Sequence, residues 1–193
     1  MPPDLRLDGE HRYWVGDDRY LGACESLTAA GLIDSRWFTG AACLRGTYAH
    51  QAIEWTLAGD LDEASLDPAL RPYRDAALKY LGDTKAEIIC VERPLYDPIL
   101  HVAGTPDLVV RSNGGIKVVD WKSGGPAKWH GWQLAIYWHL VRAAVLVPDP
   151  IIETVGVYLS DDGTYTTKPF RPREDWKVAQ AAITVAWAQR VLL

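Results

Sequence analysis

The spacing of apolar and polar positions changes several times along the chain, and each change marks an element. His11 to Val15 and Tyr20-Leu21 flank Gly16-Asp17-Asp18, which predicts a small β-hairpin with the two acids in its turn. Ser26 to Ala30, closed by Gly31, predicts a short helix. Thr39 to Ala58 is rich in Ala and Leu and stops at Gly59-Asp60, the pattern of a long helix. A second helix is predicted over 68–81, ended by Gly82, with Leu70, Tyr73, Ala77 and Tyr80 on its core face. Glu87 to Tyr96 reads as a strand broken at Pro94, with Glu92 the lone acid in an apolar stretch. Ile99 to Val110 and Ile116 to Lys122 are the next two strands, joined through the hairpin signal Asn113-Gly114. Pro106 predicts a bend just before Asp107.

After Ser123-Gly-Gly-Pro126, a helix is predicted over 129–147. Leu134, Trp138, Val141 and Val145 form its apolar stripe, and Gln133 and Tyr137 pair at i, i+4 beside it. A hairpin over 152–160 and 164–170 and a helix over 173–193, preceded by Pro172, complete the pattern. This order predicts an α/β chain with one central mixed sheet flanked by helices. At 193 residues it is expected to form a single domain. That domain comprises an N-terminal hairpin and short helix (1–38), a core (39–147), and a closing hairpin and helix (148–193).

Composition adds three points. Nine Trp against two Phe supply flat amphipathic surface, useful in a core or at an interface. Cys24, Cys43 and Cys90 are odd in number and widely spaced, so neither a disulfide framework nor a CxxC metal knuckle is expected. The net charge of −5 counts against a nucleic-acid binder. Acids gathered around two divalent cations would soften that objection, bringing the balance to about −1. No apolar run approaches bilayer length and the N-terminus lacks a signal-peptide pattern, so no membrane association is expected.

The candidate chemistry lies in Gly104-Thr-Pro-Asp107 and Val118-Val-Asp-Trp-Lys122. Alternation along a strand puts Asp120 and Lys122 on one face and Trp121 on the other. Two carboxylates and an ammonium at one sheet edge suit a hard divalent cation beside a group that orients water. The backbone carbonyl of Trp121 is a further oxygen donor. On the first long helix, Gly46, His50 and Glu54 share a face, and the small Gly46 leaves room for a ligand. Each residue also has a plain structural reading. Asp107 can cap a turn, Asp120 and Lys122 can form a surface pair, and Glu92 can guard a sheet edge. His50 can be a satisfied helix histidine, and Gln133 and Tyr137 can bond each other on a solvent face. Trp129, Trp132 and Trp138 serve a core as readily as a base-stacking surface.

Taken together and in order, these residues resemble the PD-(D/E)XK nucleases, in particular the small phage-type members of the RecB-like exonuclease branch. The signature stands as Pro106-Asp107 with Asp120-Trp121-Lys122. The branch's Gly-x-x-x-His helix motif matches Gly46 to His50, and its Gln-x-x-x-Tyr motif matches Gln133 to Tyr137. Glu92 matches the acid before the Gly-x-x-Asp hairpin. The resemblance spans residue 7 to about 140. It implies a restriction-endonuclease-like core. It also implies a metal site of His50, Asp107, Asp120 and the Trp121 carbonyl, with Glu92 at its edge and Lys122 as catalytic lysine. Glu54 is added as a metal-ligand candidate from helical spacing alone. Gln133 and Tyr137 would line the DNA path, with Lys128 and Arg45 as further DNA-binding candidates.

The implied activity is metal-dependent DNA exonuclease cleavage with one or two Mg²⁺ or Mn²⁺ ions, in recombination, repair or end processing. An endonuclease on the same fold and a non-catalytic DNA- or protein-binding module are the alternatives. A recombination or single-strand-binding partner, a homo-oligomer, and a cytoplasmic setting in a bacterial or phage-infected cell are further expectations. With no cysteine after Cys90, the iron–sulfur subtype is not expected, and without a P-loop neither is a helicase motor.

Overall fold

The computed structural model describes residues 5–34, 36, 38–112, 115–144 and 151–191. Its strands fall into two five-stranded sheets rather than one. The N-terminal sheet has the order β1-β2-β3-β6-β5, from Leu5–Leu7, Tyr13–Val15, Asp18–Gly22, Val102–Gly104 and Leu95–Asp97. The larger sheet has the order β10-β9-β8-β7-β4, from Tyr165–Phe170, Ile151–Leu159, Gly115–Lys122, Leu108–Ser112 and Glu87–Val91. It is mixed, because β8 runs parallel to β9 and antiparallel to β7.

Alternation along β7 and β8 sets the layers. Leu108, Val110, Val119 and Trp121 pack with α2 (Gly40–Ala58) and α3 (Arg71–Thr84). Val109, Ile116 and Val118 face the other way, toward α1 (Ala23–Ala29), α4 (Trp129–Ala143) and α5 (Pro172–Val191). Asp120 and Lys122 continue that second face beyond its last valine. The hydrophobic alternation that fixes the strand's register therefore also aims the two charged side chains. Trp121 is the bulkiest fully buried side chain and meets Tyr80 of α3 edge-on at 5.6 Å.

Pro94 and Pro106 act more strongly than a bend. The expected strand over 87–96 becomes β4 and β5 in different sheets, and the stretch over 99–110 becomes β6 and β7 in the same way. A proline lacks the N–H a continuous ladder needs, so the chain changes sheet at each one. Asp107 sits at the second crossing, buried between the sheets.

Helix boundaries shift modestly. Thr39 caps α2, its Oγ1 accepting the Ala42 N–H at 3.2 Å, and Gly59 ends it with a left-handed φ of 79°. Helix α3 runs through Gly82, its expected end, and closes at Lys85. Asp83 secures the extra turn by accepting from Lys79 at 2.7 Å and from the Tyr165 hydroxyl at 2.9 Å. The Asn113-Gly114 turn and Val145 lie outside the described residues, although Ser112 and Gly115 on either side of the turn are register partners. Among the described residues, no helix is long and apolar enough to cross a membrane.

The sheets are joined to α4 by close contact at Gly104. A Cβ added there would lie 2.7 Å from Tyr137 Cε1 and 3.2 Å from Leu140 Cδ1, both buried. Gly104→Ala is therefore expected to cost about 1–3 kcal/mol in denaturant unfolding, as overpacking of a filled core does. A melting curve equal to that of the unaltered chain would show that the β6–α4 contact is looser than this.

Candidate active site and metal centre

The crossing at Pro106 brings Asp107 against the end of β8, where its Oδ2 accepts the Trp121 N–H at 2.6 Å. That bond ties the first acid of the pattern to the backbone amide that follows the second. From α2, which passes the same edge on the opposite face, His50 places Nε2 2.9 Å from the Trp121 carbonyl oxygen. Its Nδ1 lies 3.5 Å from Asp107 Oδ2 and 3.8 Å from Glu92 Oε1. A carbonyl by one nitrogen and carboxylates by the other make an environment that favours the imidazolium form. Burial opposes that charge, but the Asp107 and Glu92 carboxylates outweigh it and hold the His50 pKa well above its ordinary value.

Glu92 reaches this point through an unusual backbone. Its φ of 42° is left-handed, which costs a non-glycine residue roughly 1–3 kcal/mol. The Glu92 N–H still bonds the Asp107 carbonyl at 3.0 Å, so the residue leaves the β4 ladder only after its last rung. Burial, with the neighbouring Asp107 charge, pushes the Glu92 carboxyl up to about 7. Donor atoms of His50, Glu92 and Asp107 lie within 4.8 Å of one another.

Asp120 stands beside this trio, 1% exposed. Neither of its carboxylate oxygens has a hydrogen-bond partner among the described residues. Lys122 Nζ, 2.5 Å from Oδ2, is its close cationic neighbour. Burial lifts the Asp120 carboxyl to about 6 even with that lysine present. Lys122 is held from behind. It donates to Gln133 Oε1 at 2.8 Å, and Gln133 Nε2 donates to the Tyr137 hydroxyl at 3.0 Å. Burial disfavours its charge, but Asp120 and Asp107 keep its pKa raised.

The group lines a cleft of about 500 Å³ between the sheets. Glu54 is an exposed residue on its wall, and its charge adds to the rise at Glu92. Gln133 and Tyr137, both buried, face the cleft from α4. Arg45 and Lys128 are exposed and do not border it. Periodicity gave no hint of the N-terminal contribution. Tyr13 and Cys24 line the cleft, and the Tyr13 hydroxyl meets Thr105 Oγ1 at 3.0 Å. Only the sheet pairing of β3 with β6 brings them there.

A family model for the PD-(D/E)XK nuclease superfamily matches residues 66–189, well over half the chain. That span contains Glu92, Asp107, Asp120, Lys122, Gln133 and Tyr137. The chain belongs to the PD-(D/E)XK nuclease superfamily. No curated protein matches its sequence. Two solved structures show the same fold at low identity. An alkaline exonuclease from Laribacter hongkongensis has a TM-score of 0.50 at 15% identity, covering 88% of this chain and 87% of the other. A protein described as an exonuclease from Eubacterium rectale has a TM-score of 0.51 at 11% identity, covering 88% and 82%. The superfamily match begins after α2, so the place of His50 in this nuclease rests on the contacts above.

Nucleases of this superfamily use divalent metal ions, and the residues here fit one. The donors are three carboxylates, an imidazole and a backbone carbonyl, the set a hard cation takes. Asp120 in particular has a buried Oδ1 with no donor among the described residues, and an Oδ2 met by the Lys122 ammonium alone, fewer donors than a purely structural carboxylate would have. In the metal-free protein the His50 imidazolium holds the Trp121 carbonyl and the two acids together.

The raised carboxyls have a defined sign. The fold binds these protons more tightly than the unfolded chain, so their stabilising effect is full below the ordinary carboxyl range. It is lost as pH rises through about 6 and about 7. Metal-free protein is therefore expected to lose thermal stability over that window, and Mn²⁺ to restore it. Calorimetric Mn²⁺ affinity should rise from about pH 5 to about pH 8, with net proton release on binding. Affinity that stays flat with pH would contradict the assignment of these groups.

Proposed function

We propose that this nuclease is a Mg²⁺- or Mn²⁺-dependent deoxyribonuclease that removes nucleotides from DNA ends. The observation that carries the reading is the Asp120–Lys122 arrangement: a buried carboxylate whose Oδ1 has no donor among the described residues, beside an ammonium fixed on two sides. Surface ion pairs need no such support, and a core pair would have its acceptors filled. The exonucleases with the same fold favour action at ends over internal cutting.

His50, Asp107, Asp120 and the Trp121 carbonyl would hold the ion, with Glu92 at its margin; Glu54, exposed on the wall, lies farther from the buried donors. The bound ion would neutralise the scissile phosphate and lower the pKa of the attacking water. Lys122 directs its ammonium at the same phosphate and orients that water. Its position is set by Asp120 Oδ2 and Gln133 Oε1, so little reorganisation is needed when substrate arrives. Gln133 and Tyr137 act on the reaction through Lys122, as positioning residues at the floor of the DNA path. Arg45 and Lys128 lie outside the cleft, where they would meet phosphates farther along a strand. The physiological setting we infer is end processing in DNA recombination or repair, in the cytoplasm.

With Mg²⁺ present, linear duplex DNA is expected to release mononucleotides while covalently closed circles stay intact. Asp120→Asn and Lys122→Gln should each slow this on the order of 10²-fold or more. Nicking of closed circles would support the endonuclease alternative instead. DNA binding without cleavage in either metal would identify a binding module. Full activity in Asp120→Asn would overturn the site.

A further inference from the structure

We propose that Phe38 and Trp129 form a stacking site for one unpaired nucleobase of the DNA strand whose phosphate lies against Lys122. The assignment rests on the DNA-cleaving reading above and specifies the substrate it takes. Trp129 is the first residue of α4, and its ring carries Lys122 Nζ over it, 5.2 Å from the centroid. At that distance the indole is within reach of a base on the strand whose phosphate meets the lysine. Phe38, just before α2, has its ring 6.2 Å from Trp129 and tilted by 53°. The two rings are too splayed to stack on each other, and Phe38 remains 47% exposed.

Charge favours a nucleotide there. Lys128 precedes Trp129 and lies 5.5 Å from the Trp132 ring, while Lys168 on β10 acts with Lys122 on His130 of the same helix start. Asp175, with Glu174 beside it, faces Lys128 and Lys168. Trp129 itself is half-buried against the core, so Phe38 supplies the exposed ring; Tyr48 and Trp55 of α2, exposed as well, open on a smaller groove beside segment 60–67. That segment carries Asp60, Asp62, Glu63 and Asp67, which repel a phosphate backbone. A flat apolar face with nearby cations is what sequence-tolerant base stacking requires. Because a paired base keeps its faces covered, the site selects a strand that is single or frayed beside the cleaved bond.

The test uses short oligodeoxythymidylates carrying 2-aminopurine at successive positions, with Ca²⁺ replacing Mg²⁺ to hold off cleavage. The unaltered protein is expected to quench the probe at one position near the bound end. Phe38→Leu should abolish that quench and weaken binding roughly tenfold, and Phe38→Tyr should restore both. Equal quenching and affinity in Phe38→Leu, in a protein whose parent cleaves DNA with Mg²⁺, would overturn the stacking site and leave the nuclease reading standing. A parent protein that neither binds nor cleaves these strands would overturn both.

Discussion

A carboxylate taken out of water without hydrogen-bond donors is an unfavourable thing to build, and Asp120 is one. It lies 1% exposed at the end of the central strand, with the Lys122 ammonium against Oδ2 and no donor among the described residues on Oδ1. The surrounding structure makes sense as the means of holding it there. Strand β8 is buried on both faces by helices, so its register cannot slip without turning Val118 and Val119 the wrong way round. The same register fixes Asp120 and Lys122. Asp107 braces the next backbone amide, and Gln133 and Tyr137 close the space behind the lysine.

That arrangement reconciles an acidic chain with a polyanionic substrate. The carboxyls at the site carry raised pKa values because they crowd together away from solvent. Crowded acids repel one another until a cation or a proton enters. The protonated His50 fills that need in the metal-free protein, bridging a carbonyl and two carboxylates. Part of the net charge of −5 thus sits on the buried carboxyls of this cluster rather than on the surface. Two cations beside aromatic rings, Lys122 over Trp129 and Lys128 over Trp132, stand at the start of α4.

Much of the site was legible in the sequence because its elements obey simple periods. Alternation in Val118 to Lys122 gave the shared face of Asp120 and Lys122, and i, i+4 spacing gave the Gln133–Tyr137 pair. What the pattern could not carry was how distant segments meet. Two prolines divide single apolar runs between two sheets, and only three-dimensional pairing of β3 with β6 brings Tyr13 and Cys24 to the cleft. The left-handed backbone of Glu92 has no local signal, since glutamate does not favour it. The extra turn of α3 past Gly82 was likewise decided by Tyr165, some eighty positions away, bonding Asp83. Local propensity set each element's type, and tertiary contacts set its ends.

In the function proposed above, Asp120 both positions Lys122 and ligates the metal, together with Asp107, His50 and the Trp121 carbonyl. A crystal of the protein soaked in Mn²⁺ and recorded at the manganese absorption edge tests this directly. The account predicts an anomalous peak bonded to an Asp120 oxygen, with Asp107 and the Trp121 carbonyl completing the site and Nδ1 or Nε2 of His50 turned to meet it. A peak held only by His50, Glu92 and Asp107, with Asp120 still bound to Lys122 alone, would contradict it.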